Sequence, residues 1–259
     1  MSTETNPRPM IYLGDYTALT RTIYDQKIFV DTRDISLAPH ILLDGYWENW
    51  ITKVFVSLLQ PGMTVVDVGA NIGYYSLVAG SHVGAEGKVI SFEANPAVFR
   101  LLAKSMEVNG FFSRSELVNK GVMDKAGELT FSSLRDHHGS SSFFMSPEVA
   151  AQFHDRIEKI SVPCISLDEY FHDRSIDVLK IDAEGAENNI IAGGVGVIGR
   201  SPQIKILMEY TARNRPAVEQ LLGLGFNLWN IEQNSALKPV SVSDLDQKTD
   251  LEMLLFARE

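Results

Sequence analysis

The sequence predicts an α/β fold: a seven-stranded, mostly parallel sheet with helices on both faces, preceded by a small N-terminal β/α extension. Three observations carry this. From residue 61 onward, short β-branched runs alternate with helical apolar stripes, the pattern of strand–helix–strand units. One stretch, VVDVGANIGYYS (Val65 to Ser76), passes from a buried-strand run through glycines into a helix pattern. Such a turn leaves backbone N–H groups at a strand's carboxyl end, where open α/β sheets bind ligands. Acidic residues, Glu93, Asp182 and Glu209, close three of the strand runs that follow.

Taken in order, residues 1–10 are polar with two prolines and predict an unstructured start. Tyr12 to Ile41 holds two β-like runs, TALTRTIY and KIFVDT. DGYWENWITKVFVSLLQ reads as a helix with Trp50, Val54 and Leu58 on one stripe, ended by Pro61-Gly62. Residues 1–60 therefore form an extension packed on the main domain, 61–259, rather than a separate unit. In that domain Val65, Val66 and Val68 form the first strand. Gly69 and Gly73 shape the turn, where glycine lets the backbone approach a ligand, and Ile72, Tyr75 and Ala79 make a helical stripe. KVISFEANP is the second strand. Asn95 then caps a helix with Pro96 at its first position, Val98, Leu101, Leu102 and Met106 form its stripe, and Asn109-Gly110 end it. SELVNKGV is the third strand.

Between 124 and 167 the alternation breaks. ELTFSS reads as a strand, SLRDHHGSSSFF is polar with His137 and His138, EVAAQFHDRI suggests a short helix, and KISVPCISL is extended. This insert is the candidate substrate-facing segment; a solvated connection is the alternative. DVLKIDAEGAENNIIAGG follows as the fourth strand and a helix opened by acids. QIKILMEY is the fifth strand, RPAVEQLLGLG a helix, FNLWNIEQ the sixth strand and LEMLLFARE the closing one.

Composition narrows the partners. A net charge of −10, without a run of Lys or Arg, disfavours nucleic acid, whose phosphates dominate its recognition. Cys164 is the single cysteine, so no internal disulfide forms. The start lacks the apolar core of a signal peptide, and no run of about 18 apolar residues suggests a membrane span. The expectation is a cytoplasmic protein acting on a small molecule, with homo-oligomerisation left open.

The glycine turn has the spacing G-x-x-x-G, with Asn71 where a dinucleotide fingerprint has its second glycine. That argues against a pyrophosphate and a nicotinamide enzyme. Carboxylates at adjacent strands, Asp67 and Glu93, suit a ligand with hydroxyls and a positive charge, and S-adenosylmethionine is one. Asn119, Lys120 and Gly121, ending the third strand, offer a floor for an adenine.

GYWENW, VVDVGANIGYYS, the FEANP stretch and LKIDAEGAE together resemble the FkbM family of S-adenosylmethionine-dependent methyltransferases, from about Gly45 to the C-terminus. The resemblance implies a class I methyltransferase (Rossmann-like) fold. It implies methyl transfer from S-adenosylmethionine, most often O-methylation of a sugar or secondary metabolite. N-methylation of a small molecule or peptide, and a non-catalytic scaffold, are the alternatives. It also implies a cofactor site. Asp67, Gly69, Ala70, Asn71 and Gly73 would carry the methionine part. Glu93, with Ala94 and Asn95, would hold the ribose. Asp182 would lie beside the methyl group.

A hydroxyl is a weak nucleophile and needs a base or a metal. Asp182, Glu184 and His138 are the catalytic candidates, whereas Glu187 suits a helix start, where the dipole favours carboxylates. Tyr46, Trp47 and Glu48, facing His137 and His138, are the acceptor-binding candidates. Asp182 and Glu209 could hold Mg2+, but MEY stands where a magnesium site of this fold would carry an Asp-Asn pair. Metal-free catalysis is therefore favoured.

Overall fold

The computed structural model describes residues 9–245 and 252–258, so most of the expected unstructured start lies outside the described residues. The chain opens with β1 (Ile11–Gly14), β2 (Thr17–Arg21) and β3 (Lys27–Asp31), then α1 (Ala38–Leu43) and α2 (Asn49–Leu58). Next come β4 (Thr64–Val68), α3 (Tyr74–His82), β5 (Lys88–Phe92), α4 (Pro96–Val108), β6 (Ser115–Val118) and β7 (Gly121–Val122). The insert holds β8 (Gly127–Leu134), α5 (Pro147–Ala150) and β9 (Ile157–Ile165). The remainder is α6 (Leu167–Phe171), β10 (Val178–Ile181), α7 (Glu187–Ala192), α8 (Val195–Gly199), β11 (Lys205–Tyr210), α9 (Arg215–Gly223), β12 (Asn227–Ile231), β13 (Leu237–Pro239), α10 (Val242–Leu245) and β14 (Glu252–Ala257).

The main sheet runs β13-β12-β14-β11-β10-β4-β5-β6. Its centre is parallel, and β14 enters antiparallel between β11 and β12. All seven expected strands are present, and the three-residue β13 adds a hairpin edge. Alternation along the strands divides the core in two. Val65, Val89, Val178 and Leu207 pack with α2, α3 and α4 on one face. Val66, Val68, Ile90, Leu179, Ile181 and Ile206 pack with α6, α7, α8 and α9 on the other. Strands buried on both faces read as near-continuous apolar runs, as VVDV and VLKI do, each broken by one buried charged residue, Asp67 and Lys180.

The first strands form their own antiparallel sheet, β1-β2-β3. Ser105 of α4 and Asn109, the residue just after it, complete the free edge of β3. Phe29 N donates to Ser105 Oγ at 3.0 Å and Lys27 N to Asn109 Oδ1 at 2.9 Å, while Asn109 Nδ2 donates back to Lys27 O at 2.6 Å. Ala18, Ile28 and Val30 join the core of α3 and α4. The consequence is visible in α3. Its single expected stripe is replaced by burial of every residue from Tyr74 to Gly80, because the sheet covers one side and the front piece the other. In α2 the buried stripe is Ile51, Val54, Phe55 and Leu58; Trp50 is only partly covered.

The insert is more ordered than its composition suggests. β8 and β9 pair antiparallel from Gly127↔Cys164 to Leu134↔Ile157, and β7 joins β9 as a third strand. Residues between β8 and β9 fold back, with Ser132 bridged to Ser142. The expected helix in EVAAQFHDRI is one turn, capped by Ser146. Among the described residues, no helix is long and apolar enough to cross a membrane.

Candidate active site

The chain leaves β4 through a strained turn. Gly69, Asn71 and Gly73 all have positive φ, at 77°, 51° and 94°. Gly69 N and Ala70 N both donate to Phe92 O, at 3.0 and 2.9 Å, which ties the turn to β5. Glu93 ties it further: Oε2 accepts from Asn71 N at 2.9 Å and Oε1 from Asn95 N at 2.7 Å. A Cβ on Gly69 would stand 1.8 Å from the Asp182 carbonyl oxygen. The glycine therefore serves the close approach of two loops, and the space it leaves is taken by the backbone after β10.

One cleft opens at the carboxyl ends of β4, β5 and β10. Gly69, Ala70, Asn71, Glu93, Ala94, Lys120 and Gly121 line one side. Asp182, Glu184, Glu209, Trp47, Glu48 and His138 line it with them. The front piece, both loops and the insert thus meet at one place. Glu184, itself at φ 52°, is held to the insert by Ser142 Oγ, which donates to its carbonyl at 2.7 Å.

Other predicted site residues stand outside the lining. Asp67 is buried beneath it, with Oδ2 accepting from Ser76 Oγ at 2.6 Å. Gly73 packs against Leu102. Asn95 caps α4 through Ala97 N at 3.0 Å and donates to Ser133 Oγ. Asn119 Nδ2 donates to the carbonyls of Glu93 and Ala94, steadying that loop. Tyr46 packs on the core of the front piece. His137 turns away to Asp155, 3.1 Å from Nδ1, with its ring against Phe153. Glu187 accepts from Ala183 N and Gly185 N and so shapes the turn before α7.

Lys180 is the residue the sequence reading missed. It is 2% exposed in the middle of β10, with Nζ 3.1 Å from Asp182 Oδ2 and 4.5 Å above the Tyr75 ring. A lysine inside the apolar run VLKI is the signal that could have found it, since Lys is almost never buried unpaired.

The model of the methyltransferase FkbM domain matches residues 67–240, which span the turn, the cleft acids and the insert. The chain belongs to the FkbM methyltransferase family. Its sheet, with β14 inserted antiparallel beside β11, is the class I methyltransferase fold. The curated methyltransferase sdnD of Sordaria araneosa is 26% identical over 163 residues, covering 53% of this chain. The chain spans 62% of the length of that relative. Two solved structures are similar in outline. TYW2 of Pyrococcus horikoshii, in complex with MeSAdo, is 12% identical with a TM-score of 0.49, covering 96% of this chain and 74% of that one. An S-adenosylmethionine-dependent O-methyltransferase of Thermotoga maritima is 12% identical with a TM-score of 0.44, covering 97% and 86%.

The electrostatics of this FkbM-family cleft are set by crowded acids. Burial is the main cause that pushes Glu48 and Glu93 up to about 7, Glu184 to about 8 and Glu209 to about 10. Repulsion from Asp182 adds to Glu48, Glu184 and Glu209, and the Lys180 charge opposes it. For Glu93 the opposing groups are the Asn95 and Asn71 amides. At neutral pH, Glu184 and Glu209 are largely protonated and can donate as well as accept hydrogen bonds.

A pH dependence of stability follows. A carboxyl raised above its ordinary 4.5 keeps its proton in the folded state after the unfolded chain has lost it. Stability therefore falls as pH rises from the ordinary value through the folded one. The ligand-free protein is expected to melt higher at about pH 6 than at about pH 8, with Glu209→Gln flattening the slope. A melting temperature that climbs across that window contradicts the assignment.

The residues fit the cofactor that this fold takes. Glu93, whose carboxylate accepts from the Asn71 and Asn95 amides, lines the cleft beside Gly69, Ala70 and Asn71, so an acid and an open backbone turn meet where a ligand with hydroxyls and a positive charge would lie. They do not fit a hard divalent cation. Asp182 and Glu209 share the cleft, but Asp182 Oδ2 is already paired with Lys180. Among the described residues no group of three His, Cys, Asp or Glu side chains could hold a metal, and magnesium wants about six oxygens.

Proposed function

We propose that the chain is an S-adenosylmethionine-dependent methyltransferase that methylates a hydroxyl of a sugar or secondary metabolite. The observation that supports it is the single cleft joining the Gly69–Asn71 turn and Glu93 to Asp182, Glu184, Trp47, Glu48 and His138. The bound cofactor supplies an activated methyl group on a sulfonium. The turn residues Gly69, Ala70 and Asn71, with Asp67 beneath, hold its methionine part. Glu93 takes the ribose hydroxyls, and Lys120 and Gly121 the adenine. Beside them Asp182, Glu184 and Glu48 bind and orient the acceptor. Glu48 and Glu184, pushed up to about 7 and about 8, suit a ligand with several hydroxyls, each a donor and an acceptor, and Trp47 gives such a ligand an apolar wall. Placing the hydroxyl in line with the methyl group is the main demand on the protein.

The cofactor part is tested with S-adenosylhomocysteine. Glu93→Ala should weaken its binding by about 1–3 kcal/mol, the range for bonds to charged groups, measured by calorimetry. A loss below a few tenths of a kcal/mol removes Glu93 from the site. The acceptor part is tested by methyl transfer to polyhydroxylated metabolites, read as a mass shift. Acceptors methylated on nitrogen alone would overturn the hydroxyl assignment.

A further inference from the structure

The segment that joins β8 to β9 folds back along the cleft, and two contacts bring it to the residues placed around the cofactor. At Gly139 its backbone lies beside the glycine turn: a Cβ there would stand 3.6 Å from Ser36 Oγ and 3.9 Å from Asn71 Nδ2. At Phe143 the ring lies on Gly121, where a Cβ would stand 2.5 Å from the ring Cζ and 2.8 Å from Cε2. Glycine at 121 therefore leaves the room that the ring takes up. Phe143 and Gly121 both line the cleft.

The ring is held from several sides. Ser132 and Ser142 exchange two backbone hydrogen bonds, at 2.9 and 3.1 Å, which fix the chain next to Phe143. Ser142 Oγ donates to the Glu184 carbonyl at 2.7 Å and accepts from Phe144 N at 2.9 Å. Phe131 of β8 meets the Phe143 ring edge to face, with centroids 4.8 Å apart and planes at 67°. Phe131 is itself 5% exposed, a buried support, whereas Phe143 is only partly covered. An aromatic ring fixed at the wall of a cleft and left partly bare offers apolar area that a flat ligand ring can cover.

We propose that Phe143 is a cofactor-binding residue: its ring is the aromatic wall for the adenine base, so the insert binds the methyl donor as well as facing the acceptor. This rests on the reading of the cleft as an S-adenosylmethionine site with Lys120 and Gly121 at the adenine. Every base has a flat π-face, and contact with an aromatic side chain takes that face without competing for the polar atoms on the edge of the base. Phe143 lies between β8 and β9, outside the alternating strands and helices of the main domain. The donor site is then completed by the insert, in addition to the glycine turn and Glu93.

The test is calorimetry on the full chain with two ligands. One is S-adenosylhomocysteine; the other is S-ribosylhomocysteine, which keeps the ribose and the homocysteine but has no base. Phe143→Ala should weaken S-adenosylhomocysteine about tenfold or more, within the range that stacking on a base is worth. It should leave S-ribosylhomocysteine unchanged. An unchanged affinity for S-adenosylhomocysteine, or equal losses for both ligands, overturns the proposal, because the ring then supports the loop and does not touch the base. If Phe143→Ala does not fold, Phe143→Leu is read with the same two ligands, since it keeps apolar bulk without the flat ring, and the same outcomes decide. A wild type that binds neither ligand removes the methyl-donor reading itself. That result is distinct from the failure of Phe143 alone, in which wild type and variant bind S-adenosylhomocysteine equally.

Discussion

Lys180→Met is expected to cost about 3–5 kcal/mol of stability, the range for removing one partner of a buried charge pair. The Lys180 ammonium lies at the base of the cleft acids, 3.1 Å from Asp182 Oδ2. Asp67 and Glu48 also feel its charge. Asp67 is 1% exposed and has one oxygen without a partner. Burial pushes its carboxyl up, and Lys180 is the strongest opposing influence. Met keeps the length of the side chain and its contact with Tyr75, so the loss measures the charge and not a cavity. Urea unfolding should show a lower midpoint with an unchanged slope. Adding Asp67→Asn should recover part of the loss, as a double-mutant cycle between charged neighbours. A single-variant loss under about 1 kcal/mol would mean that the acids are protonated and need no counter-charge. Asp182→Asn, the substitution that most directly tests the proposed chemistry, should carry some of the same cost, because it leaves the ammonium without its nearest carboxylate.

Gly69→Ala should be nearly as damaging, at about 4 kcal/mol or more, and Gly69→Val should yield no folded protein. The added Cβ would sit 1.8 Å from Asp182 O and 2.9 Å from the Asp182 carbonyl carbon, at a φ of 77°. Backbone cannot give way as a flexible side chain can. The clash falls where β4 and β10 are still paired, since Asp182 N donates to Val68 O at 3.1 Å. Relief would separate two central strands of the sheet. Denaturant unfolding of the alanine variant measures the effect. A folded Gly69→Val that loses only cofactor affinity would show that the space belongs to the ligand and not to the loop.

The sheet and its two cores were legible in the sequence, because strand and helix periods are local properties of the chain. Val65 and Val66 point to opposite faces by the two-residue repeat alone, and they do enter different cores. Asn95-Pro96 carries its helix start in two adjacent residues, and the cap forms as written. The acids at the ends of β10 and β11 and just after β5 were also legible, because a strand run shows where its carboxyl end lies. Tertiary structure decided what those residues face. Nothing in YYSLVAGSH tells that a separate sheet will bury its outer side, since that sheet is built from residues some fifty positions earlier. His137 and His138 are chemically alike and adjacent, yet one is tied to Asp155 and the other lines the cleft. The fold of the β8–β9 connection makes that choice. The pairing of Lys180 with Asp182 and the approach of the Asp182 backbone to Gly69 became apparent only when segments of the fold met. A contact between distant segments leaves no period in the sequence, whereas a strand or a helix does.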